Sequence, residues 1–386
     1  MAVHRSHLPL NKSEVPKRPT RVALMKENKE IGSDLFSAPY FLHCPYSCYK
    51  KPVPIFFRGI FMESFRLTLG LYCTAVISSL SFCHALFAQD FEGLKVTMCG
   101  TSSPLPAPGR AQACIAVETP EHLYIVDAGS GSAATANLSG LPMEKLRGIL
   151  ITHFHSDHIS DIGDFNLNSW VAGRPEPMEI IGPEGVDRVV EGFNIAYELD
   201  RGYRVAHHGA ELLNPELGVL ESRTVGEGVI VEEDGLRITS FEVSHPPIEP
   251  AFGYRLDYEG RSVVISGDSL VTEKIIEISD GADVVMHDAM ALQLVRGAEG
   301  MTRSTGNTRL ATVLHDIQDY HASIADLKQL VEQADVGQLA LYHLVPAPRN
   351  DMALGVYVNS MPEGAVITED GMVFSLPAES NEIVIE

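Results

Sequence analysis

The sequence predicts an α/β fold: a four-layer αβ/βα sandwich, in which two β-sheets pack face to face and helices cover both outer faces. Two groups of short apolar segments, within residues 94–152 and 212–266, have the pattern of strands separated by Gly and Asp-Gly turns. Helical stretches follow each group. Two groups of strands, each trailed by helices, indicate two similar halves that join through their sheets.

The composition is that of a globular protein, with 45% hydrophobic and 21% charged residues, but the charge is unevenly distributed. Residues 1–88 carry 11 Lys and Arg against 5 Asp and Glu, so residues 89–386 carry a net charge of −28. A surface this acidic repels polyanions unless a basic patch or a bound metal reverses the local field. We therefore do not expect nucleic acid as the partner, although the charge can equally serve solubility.

Residues 1–61 differ from the remainder of the chain, because they are rich in Lys, Arg and Pro and show no sustained period. The segment 62–88 has the form of a secretory signal peptide: Arg66, an apolar run over residues 67–82, and then small residues. The run is shorter than the ~20 residues that span a membrane.

A signal peptide this far into the chain predicts that the true start is Met62 and that residues 1–61, an atypical extension, are not translated. Cleavage after Ala85 or Ala88 then releases a catalytic domain, residues 89–386, into the periplasm or the medium. Membrane contact is transient in this interpretation. The alternative is a membrane-anchored protein in which the segment stays uncleaved.

Local patterns assign individual elements. Apolar runs predict the first strands at Leu94–Cys99, Cys114–Val117, Leu123–Val126 and Gly148–Thr152. Residues 184–199, 272–279 and 323–334 predict helices, and the last opens with the capping-box spacing of Ser323 and Asp326, with Asp in place of Glu. Cys99 and Cys114 can pair if their strands are adjacent, and two buried thiols are the alternative.

The segment His153-Phe154-His155-Ser156-Asp157-His158 carries the chemistry. An apolar strand runs directly into these four candidate ligands. Alternation places His153 and His155 on one side as the strand ends, and Asp157 and His158 follow from the turn. Imidazole and carboxylate groups suit Zn²⁺, and also Mn²⁺ or Fe. Because one ion takes three or four ligands, the group indicates one full site or two partial ones.

This H-x-H-x-D-H pattern after an apolar strand resembles the metallo-β-lactamase superfamily, and residues 94–375 follow its layout. The resemblance predicts the metallo-β-lactamase type of four-layer sandwich. The other landmarks that resemble the superfamily, in chain order, are Ile125-Val-Asp127-Ala-Gly129, Val243-Ser-His245, Val263-Val-Ile-Ser-Gly267-Asp268 and Leu339-Ala-Leu-Tyr-His343.

The resemblance implies two metal ions, with zinc expected and Mn or Fe as substitutes. The ligand sets it implies are His153, His155 and His245 for the first metal, Asp157, His158 and His343 for the second, and Asp268 as the bridge. It also implies that Asp127 orients a ligand histidine. Two ions about 3.5–4 Å apart supply a hydroxide and stabilise the charge of the transition state, so Asp157 is assigned to catalysis as well as to metal binding.

Two further segments resemble the ribonuclease Z branch of this superfamily. Val285-Met-His287-Asp288-Ala289 resembles its His-Glu-Ala segment, with Asp in place of Glu, and Tyr320-His321-Ala322-Ser323 resembles its His-Ser-Thr segment. By this resemblance His321, beside Asp288, protonates the leaving oxygen, and His287 packs behind the site. The alternative interpretation of His321 is a residue that caps a helix.

Other features depart from ribonuclease Z. The 23 positions from His245 to Asp268 leave no room for the tRNA-binding arm of that family, and the loop at Arg110 lacks its Asn. Together with the export signal and the acidic surface, these features favour an exported dinuclear zinc hydrolase of a small anionic ester, either a phosphodiester or an aryl sulfate. The alternatives are ribonuclease Z itself, a mononuclear iron dioxygenase and a non-catalytic binding protein. A homodimer is a candidate assembly.

Three other residues are candidate substrate contacts: Trp170, Arg174 and Arg255. Core packing or an ordinary surface role explains each of them equally well. The pair His207-His208 is expected in an exposed loop, because the other residues already complete the ligand count.

Overall fold

The computed structural model describes residues 91–386. The predicted extension 1–61 and the predicted signal peptide 62–88 lie outside the described residues, so both stay predictions. Between residues 91 and 386, no helix has the length and apolarity needed to cross a membrane.

The first sheet has eight strands, in the order β15-β14-β1-β2-β3-β4-β5-β6. Its strands are β1 Gly93–Gly100, β2 Cys114–Glu118, β3 Leu123–Val126, β4 Leu146–Leu150, β5 Glu179–Gly182, β6 Glu221–Thr224, β14 Val373–Pro377 and β15 Val384–Ile385. The pairs from β3 to β6 are parallel, and the others are antiparallel.

The second sheet has seven strands, in the order β13-β12-β11-β10-β9-β8-β7. Its strands are β7 Gly228–Glu233, β8 Leu236–His245, β9 Ile248–Tyr258, β10 Arg261–Ile265, β11 Val284–Met290, β12 Gln338–Val345 and β13 Val366–Ile367. Here β7 to β10 form antiparallel pairs, and β10 to β13 form parallel ones.

Ten α-helices connect the strands within the described part of the chain. They are α1 Ser132–Leu138, α2 Ser156–Ile159, α3 Ile162–Ala172, α4 Val186–Ala196, α5 Glu198–His208, α6 Glu273–Ser279, α7 Leu292–Ser304, α8 Thr308–Asp316, α9 Ile324–Gln333 and α10 Asp351–Ser360. Two 3₁₀ turns, Met143–Lys145 and Ile317–Asp319, complete the set.

Alternation along the strands builds the four layers. In β2, Ile115 and Val117 join the core between the two sheets, whereas Cys114 and Ala116 join a second core beneath α1, α3 and α4. A third core lies on the other face of the second sheet, under α6, α9 and α10. Successive strand residues point to opposite faces, so each sheet buries both of its faces. The predicted four-layer αβ/βα sandwich is confirmed.

Several predicted elements match closely. The four predicted strands are β1 to β4, and the helix predicted over 323–334 is α9, which has the capping box formed by Ser323 and Asp326. The helix predicted over 184–199 is instead two consecutive helices, α4 and α5. Cys99 and Cys114 are joined by a disulfide between adjacent strands, with a Cα–Cα distance of 4.9 Å.

The two sheets are tied together at the end where the metal-binding segment begins. The backbone N–H of Phe252 donates to the carbonyl of Thr152 at 2.9 Å, and the Tyr254 hydroxyl donates to the carbonyl of Ile151 at 2.6 Å. Both carbonyls follow β4 and are buried, so these hydrogen bonds satisfy groups that would otherwise be costly. They fix the start of the His153 segment against the second sheet.

Candidate metal centre

Every predicted metal ligand lies near, at or beyond one end of its strand. The His153–His158 segment follows β4, His245 is the last residue of β8, Asp268 follows β10, and His343 lies near the end of β12. Because these ends meet at one edge of the sandwich, residues up to 190 positions apart along the chain come together there.

The first group of candidate ligands contains three histidines and one carboxylate. The Nε2 atom of His153 lies 2.9 Å from Nδ1 of His155, which in turn lies 3.5 Å from Nε2 of His245. The Asp268 carboxylate is 3.9 Å from His153 and 4.0 Å from His245. Ligand atoms around one tetrahedral zinc, at 2.0–2.1 Å from it, lie about 3.3 Å apart. The spacing of this group therefore suits one metal ion.

The second group shares Asp268 with the first. Nε2 of His158 lies 3.3 Å from Oδ2 of Asp268 and 3.6 Å from Oδ2 of Asp157. His343 lies 3.1 Å from Asp157 through Nε2 and 3.2 Å from Asp268 through Nδ1. One carboxylate thus faces both groups, which is the arrangement required of a bridging ligand.

Asp127 fixes the orientation of the ligand histidines. Its carboxylate accepts hydrogen bonds from the Thr152 backbone N–H at 2.9 Å, from the Thr152 hydroxyl at 2.8 Å and from Nδ1 of His158 at 2.7 Å. Since the hydroxyl proton goes to Asp127, Thr152 accepts the bond from Nδ1 of His153 at 3.1 Å. Both histidines therefore use Nδ1 for these hydrogen bonds and turn Nε2, the atom left for a metal ion, towards the cluster.

His245 is oriented by the backbone instead. Its Nδ1 donates to the carbonyl of Tyr320 at 3.1 Å, which again leaves Nε2 as the atom that faces the other ligands. The Tyr320 ring lies against His245 with the ring centroids 4.8 Å apart.

Unusual backbone conformations set the direction of two site side chains, those of His343 and Asp127. The pairing of β11 with β12 shifts at His343, because Asp288 faces Tyr342 and the next residue, Ala289, faces Leu344. His343 is the extra residue of this β-bulge and has φ of +40°. Bulges redirect side chains near active sites, and non-glycine residues in the left-handed region cluster at functional positions. Asp127 shares that region, with φ of +59°.

Gly267 allows Asp268 to enter the cluster. It has φ of +63°, and a Cβ at this position would lie 2.9 Å from the carbonyl oxygen of Phe252 and 3.0 Å from Thr152. Only glycine fits both this backbone conformation and this close approach.

One structural observation supports these side chains as metal ligands. Three atoms of the cluster are buried and lack hydrogen-bond partners among the described residues: Nε2 of His158, Oδ1 of Asp268 and Nδ1 of His343. Buried polar atoms are normally satisfied, and such exceptions indicate a missing ion or water. The structure brings all seven predicted ligands together in two clusters that could hold metal ions.

The charges of the cluster compensate one another. Burial alone would lower the pKa of His158, but the Asp268 and Asp127 carboxylates raise it well above its ordinary value. Burial would likewise raise the pKa of Asp268, yet His343 and His158 hold it well below its usual range. At the opposite side, burial lowers the pKa of His153, with a further contribution from His158. In the metal-free protein, protons on the histidines therefore supply part of the positive charge that metal ions would provide.

His321 and Asp288 form a pair at the rim of the cluster. Nδ1 of His321 donates to Oδ2 of Asp288 at 3.0 Å, and a ligand atom of His321 lies within 4.8 Å of those of Asp268 and His343. Burial would raise the pKa of Asp288, but hydrogen bonds from His287 and His321 lower it. Asp288 therefore stays ionised and orients the imidazole.

Two smaller sequence interpretations are resolved. Ser323 caps α9, so His321 is not the capping residue. His287 is fully buried and its Nδ1 donates to the backbone carbonyl of Asp288 at 3.0 Å, so it packs against Asp288.

The three candidate substrate contacts have structural roles instead. The indole of Trp170 donates to the Asn214 carbonyl at 2.9 Å. Arg174 is buried and donates to Asn166 at 2.9 Å. Arg255 donates to Asp257 at 3.0 Å and to the carbonyl of Ile278. The pair His207-His208 ends α5 and is exposed, so it is helical where an exposed loop was expected.

Sequence reasoning missed Thr152 and the Tyr320 carbonyl as groups that orient ligands. Thr152 directly precedes the metal-binding segment, so a hydroxyl at that position was a usable signal. The carbonyl of Tyr320 carried none, because any residue supplies a backbone carbonyl.

Comparison with known proteins agrees with this geometry. A family model described as a beta-lactamase superfamily domain matches residues 122–344. A ribonuclease Z from Mycobacterium bovis (strain BCG / Pasteur 1173P2) is 34% identical over 257 residues, which cover 66% of this chain and 87% of the relative. A ribonuclease Z from Mycobacterium marinum is 32% identical over the same shares of both chains. The predicted resemblance is confirmed.

Solved structures share the fold. The metallo-beta-lactamase fold protein YhfI from Bacillus subtilis has a TM-score of 0.52 at 19% identity and covers 72% of this chain and 98% of its own. The short form of human tRNase Z has a TM-score of 0.51 at 18% identity, with coverage of 73% and 99%. A diphosphatase of the PhnP family has a TM-score of 0.52 at 15% identity, with coverage of 76% and 100%.

Replacing Asp127 by Asn tests its orienting role. We expect Asp127→Asn to weaken zinc binding about 10- to 100-fold, because an amide group cannot accept all three hydrogen bonds. Zinc affinity is measured by competition with a chromophoric chelator. The control is Asp234→Asn, since Asp234 also has a positive φ and lies 2.9 Å from a histidine ring nitrogen, that of His122, far from the cluster. Equal affinity in both variants would contradict the role.

Zinc affinity should also depend on pH. Histidine ligands must lose protons to bind metal, and the pKa of His158 is raised in the metal-free protein. Below that pKa, each displaced proton weakens binding about tenfold per pH unit. We therefore expect a Kd for zinc at least tenfold higher at pH 6.5 than at pH 7.5 in the same competition assay. A Kd that does not change would contradict the proton–metal exchange.

Proposed function

Because the chain belongs to the metallo-β-lactamase superfamily of metal-dependent hydrolases of ester bonds, we propose that it is a phosphodiesterase that cleaves RNA in the manner of ribonuclease Z. The observation that carries the proposal is the 34% identity to a ribonuclease Z over 87% of that protein's length. The ribonuclease alternative of the sequence analysis thereby takes precedence over the exported small-ester hydrolase.

The residues of the cluster provide the groups that phosphodiester hydrolysis requires. His153, His155 and His245 would hold one ion, Asp157, His158 and His343 the other, and Asp268 both. When bound, two such ions polarise the phosphodiester and activate water. Six of these seven side chains are buried, all but His155, and their burial fixes their positions before the substrate arrives, which lowers the cost of reorganisation during the reaction.

His321 is the proton donor of the proposed reaction. Its Nδ1 is committed to Asp288, so Nε2 is the atom that can carry a proton towards the cluster. The departing 3′ or 5′ alkoxide of RNA is a poor leaving group that needs this proton. Asp288 also accepts a hydrogen bond from the Ala322 backbone N–H at 3.3 Å, which keeps the carboxylate in place during the transfer.

The missing arm does not weigh against this proposal. The β8–β9 hairpin and β10 fill the chain between His245 and Asp268, and no arm fits there. However, the alignment has 257 positions and covers 66% of this 386-residue chain, which is nearly as many residues as there are aligned positions. The alignment therefore contains almost no positions at which the relative has a residue and this chain has none. An arm-sized insertion in that relative is therefore not part of the match.

A second candidate is hydrolysis of a small phosphodiester by an exported enzyme. It is favoured by the net charge of −28 over residues 89–386, which opposes binding of a long polyanion. Aryl sulfates remain a subordinate substrate class. Export rests on the segment 62–88 alone and is part of this second proposal.

The test is a panel of substrates given to the zinc-loaded protein: a tRNA precursor with a 3′ extension, bis(p-nitrophenyl) phosphate, p-nitrophenyl sulfate and a chromogenic β-lactam. We expect cleavage of the precursor and of the phosphodiester, both abolished by a chelator and restored by zinc. Turnover of the small phosphodiester or of the sulfate without cleavage of the precursor would replace the proposal by the second candidate.

The role of His321 is tested by His321→Gln. A general acid contributes about 10²- to 10⁴-fold when the leaving group is poor, whereas nitrophenolate leaves without a proton. We expect precursor cleavage to fall by at least 100-fold while bis(p-nitrophenyl) phosphate turnover and zinc content stay within about threefold. Equal losses on both substrates together with lost zinc would show that His321 is a metal ligand instead.

A further inference from the structure

A pair of helices, α7 and α8, grows out of the proposed catalytic pair. The first begins at Leu292, four residues after Asp288, and the second ends at Asp316, five residues before His321. We call residues 292–316 the helical hairpin. Both of its ends are therefore anchored beside the site where the proton donor is held.

The hairpin is attached only at its base. A small apolar cluster of Met290, Val295 and Val345, with Leu292, Leu314 and Ile317 packed against it, joins it to the second sheet. Within its two helices only Val295 and Ala311 are buried. A helix of 13 residues is about 20 Å long, so the turn at the tip extends far from the base while its outer surface stays exposed.

The hairpin differs from its surroundings in charge. Residues 292–316 contain three arginines and two acidic residues, Glu299 and Asp316, for a net charge of +1, whereas residues 89–386 have a net charge of −28. Arg303 and Arg309 flank the turn at the tip, and Arg296 lies nearer the base. Glu299 contacts Arg303 at 2.7 Å, and Arg309 makes no ion pair with the described residues. Exposed Met301, Leu310 and Val313 lie between these charges.

We infer that the helical hairpin docks the sugar–phosphate backbone of RNA and thereby replaces a separate substrate-binding arm. This inference rests on the proposed function. Arginine side chains neutralise phosphates and position a nucleic acid without reading its sequence. Their placement along an element about 20 Å long matches a substrate that continues well beyond the bond cleaved.

The experiment compares two triple variants of the full-length, zinc-loaded protein. R296Q/R303Q/R309Q removes the three charges of the hairpin. The control, K95Q/K145Q/R237Q, removes three exposed or half-exposed charges near the starts of β1, β4 and β8, and the ligands His153 and His245 lie at the opposite ends of β4 and β8. Neither set touches the metal cluster, so bis(p-nitrophenyl) phosphate turnover should stay unchanged in both. Cleavage of the tRNA precursor is measured from 50 to 200 mM salt, with binding of the labelled precursor measured by fluorescence anisotropy.

We expect the hairpin variant to raise KM for the precursor at least tenfold and to reduce the slope of log affinity against log salt by about 2 to 3, while the control reproduces the wild-type protein. A hairpin variant with wild-type binding and slope would overturn the inference and leave the proposed function intact. If the wild-type protein binds the precursor without cleaving it, the proposed function fails and the anisotropy slopes still decide the inference. The inference would also be overturned if the wild-type protein did not bind the precursor. The same holds if the hairpin variant changed its oligomeric state and still bound the precursor as the wild-type protein does.

Discussion

The Asp127 carboxylate is the group on which the architecture of the centre depends. It accepts the Thr152 backbone N–H, the Thr152 hydroxyl and Nδ1 of His158 within 2.9 Å. Through the hydroxyl it also sets the tautomer of His153. One buried acceptor therefore fixes the start of the metal-binding segment and directs two ligand nitrogens into the cluster, which is why a residue with φ of +59° is tolerated there.

The sandwich turns this local arrangement into a site for chemistry. Hydrogen bonds from Phe252 and Tyr254 hold the segment after β4 against the second sheet, whose strands contribute His245, Asp268 and His343. The same sheet carries Asp288 on β11, which holds His321 by a hydrogen bond, so the proposed proton donor and three of the candidate ligands are held by one sheet. Catalytic groups placed at the ends of rigid strands keep the positions that the reaction needs.

Much of this was predictable from sequence, and the remainder has identifiable causes. The strands β1 to β4, the capped helix α9 and the H-x-H-x-D-H segment have short-range patterns that the chain itself displays. The bulge at His343 depends on pairing with a distant strand, and the carbonyl that orients His245 comes from Tyr320. Helices α7 and α8 each bury a single side chain, Val295 and Ala311, and the sequence patterns used above did not assign them. The net charge of residues 89–386 favoured a small-ester substrate, whereas the relatives favour the ribonuclease alternative.

The most direct test of the central claim is anomalous diffraction at the zinc absorption edge from crystals of the zinc-loaded protein. We expect two peaks per chain, one among His153, His155 and His245 and one among Asp157, His158 and His343, with Asp268 contacting both. A single peak would contradict the two-metal assignment, and a second peak held by His321 and Asp288 in place of His158 would contradict the role of His321 as a proton donor.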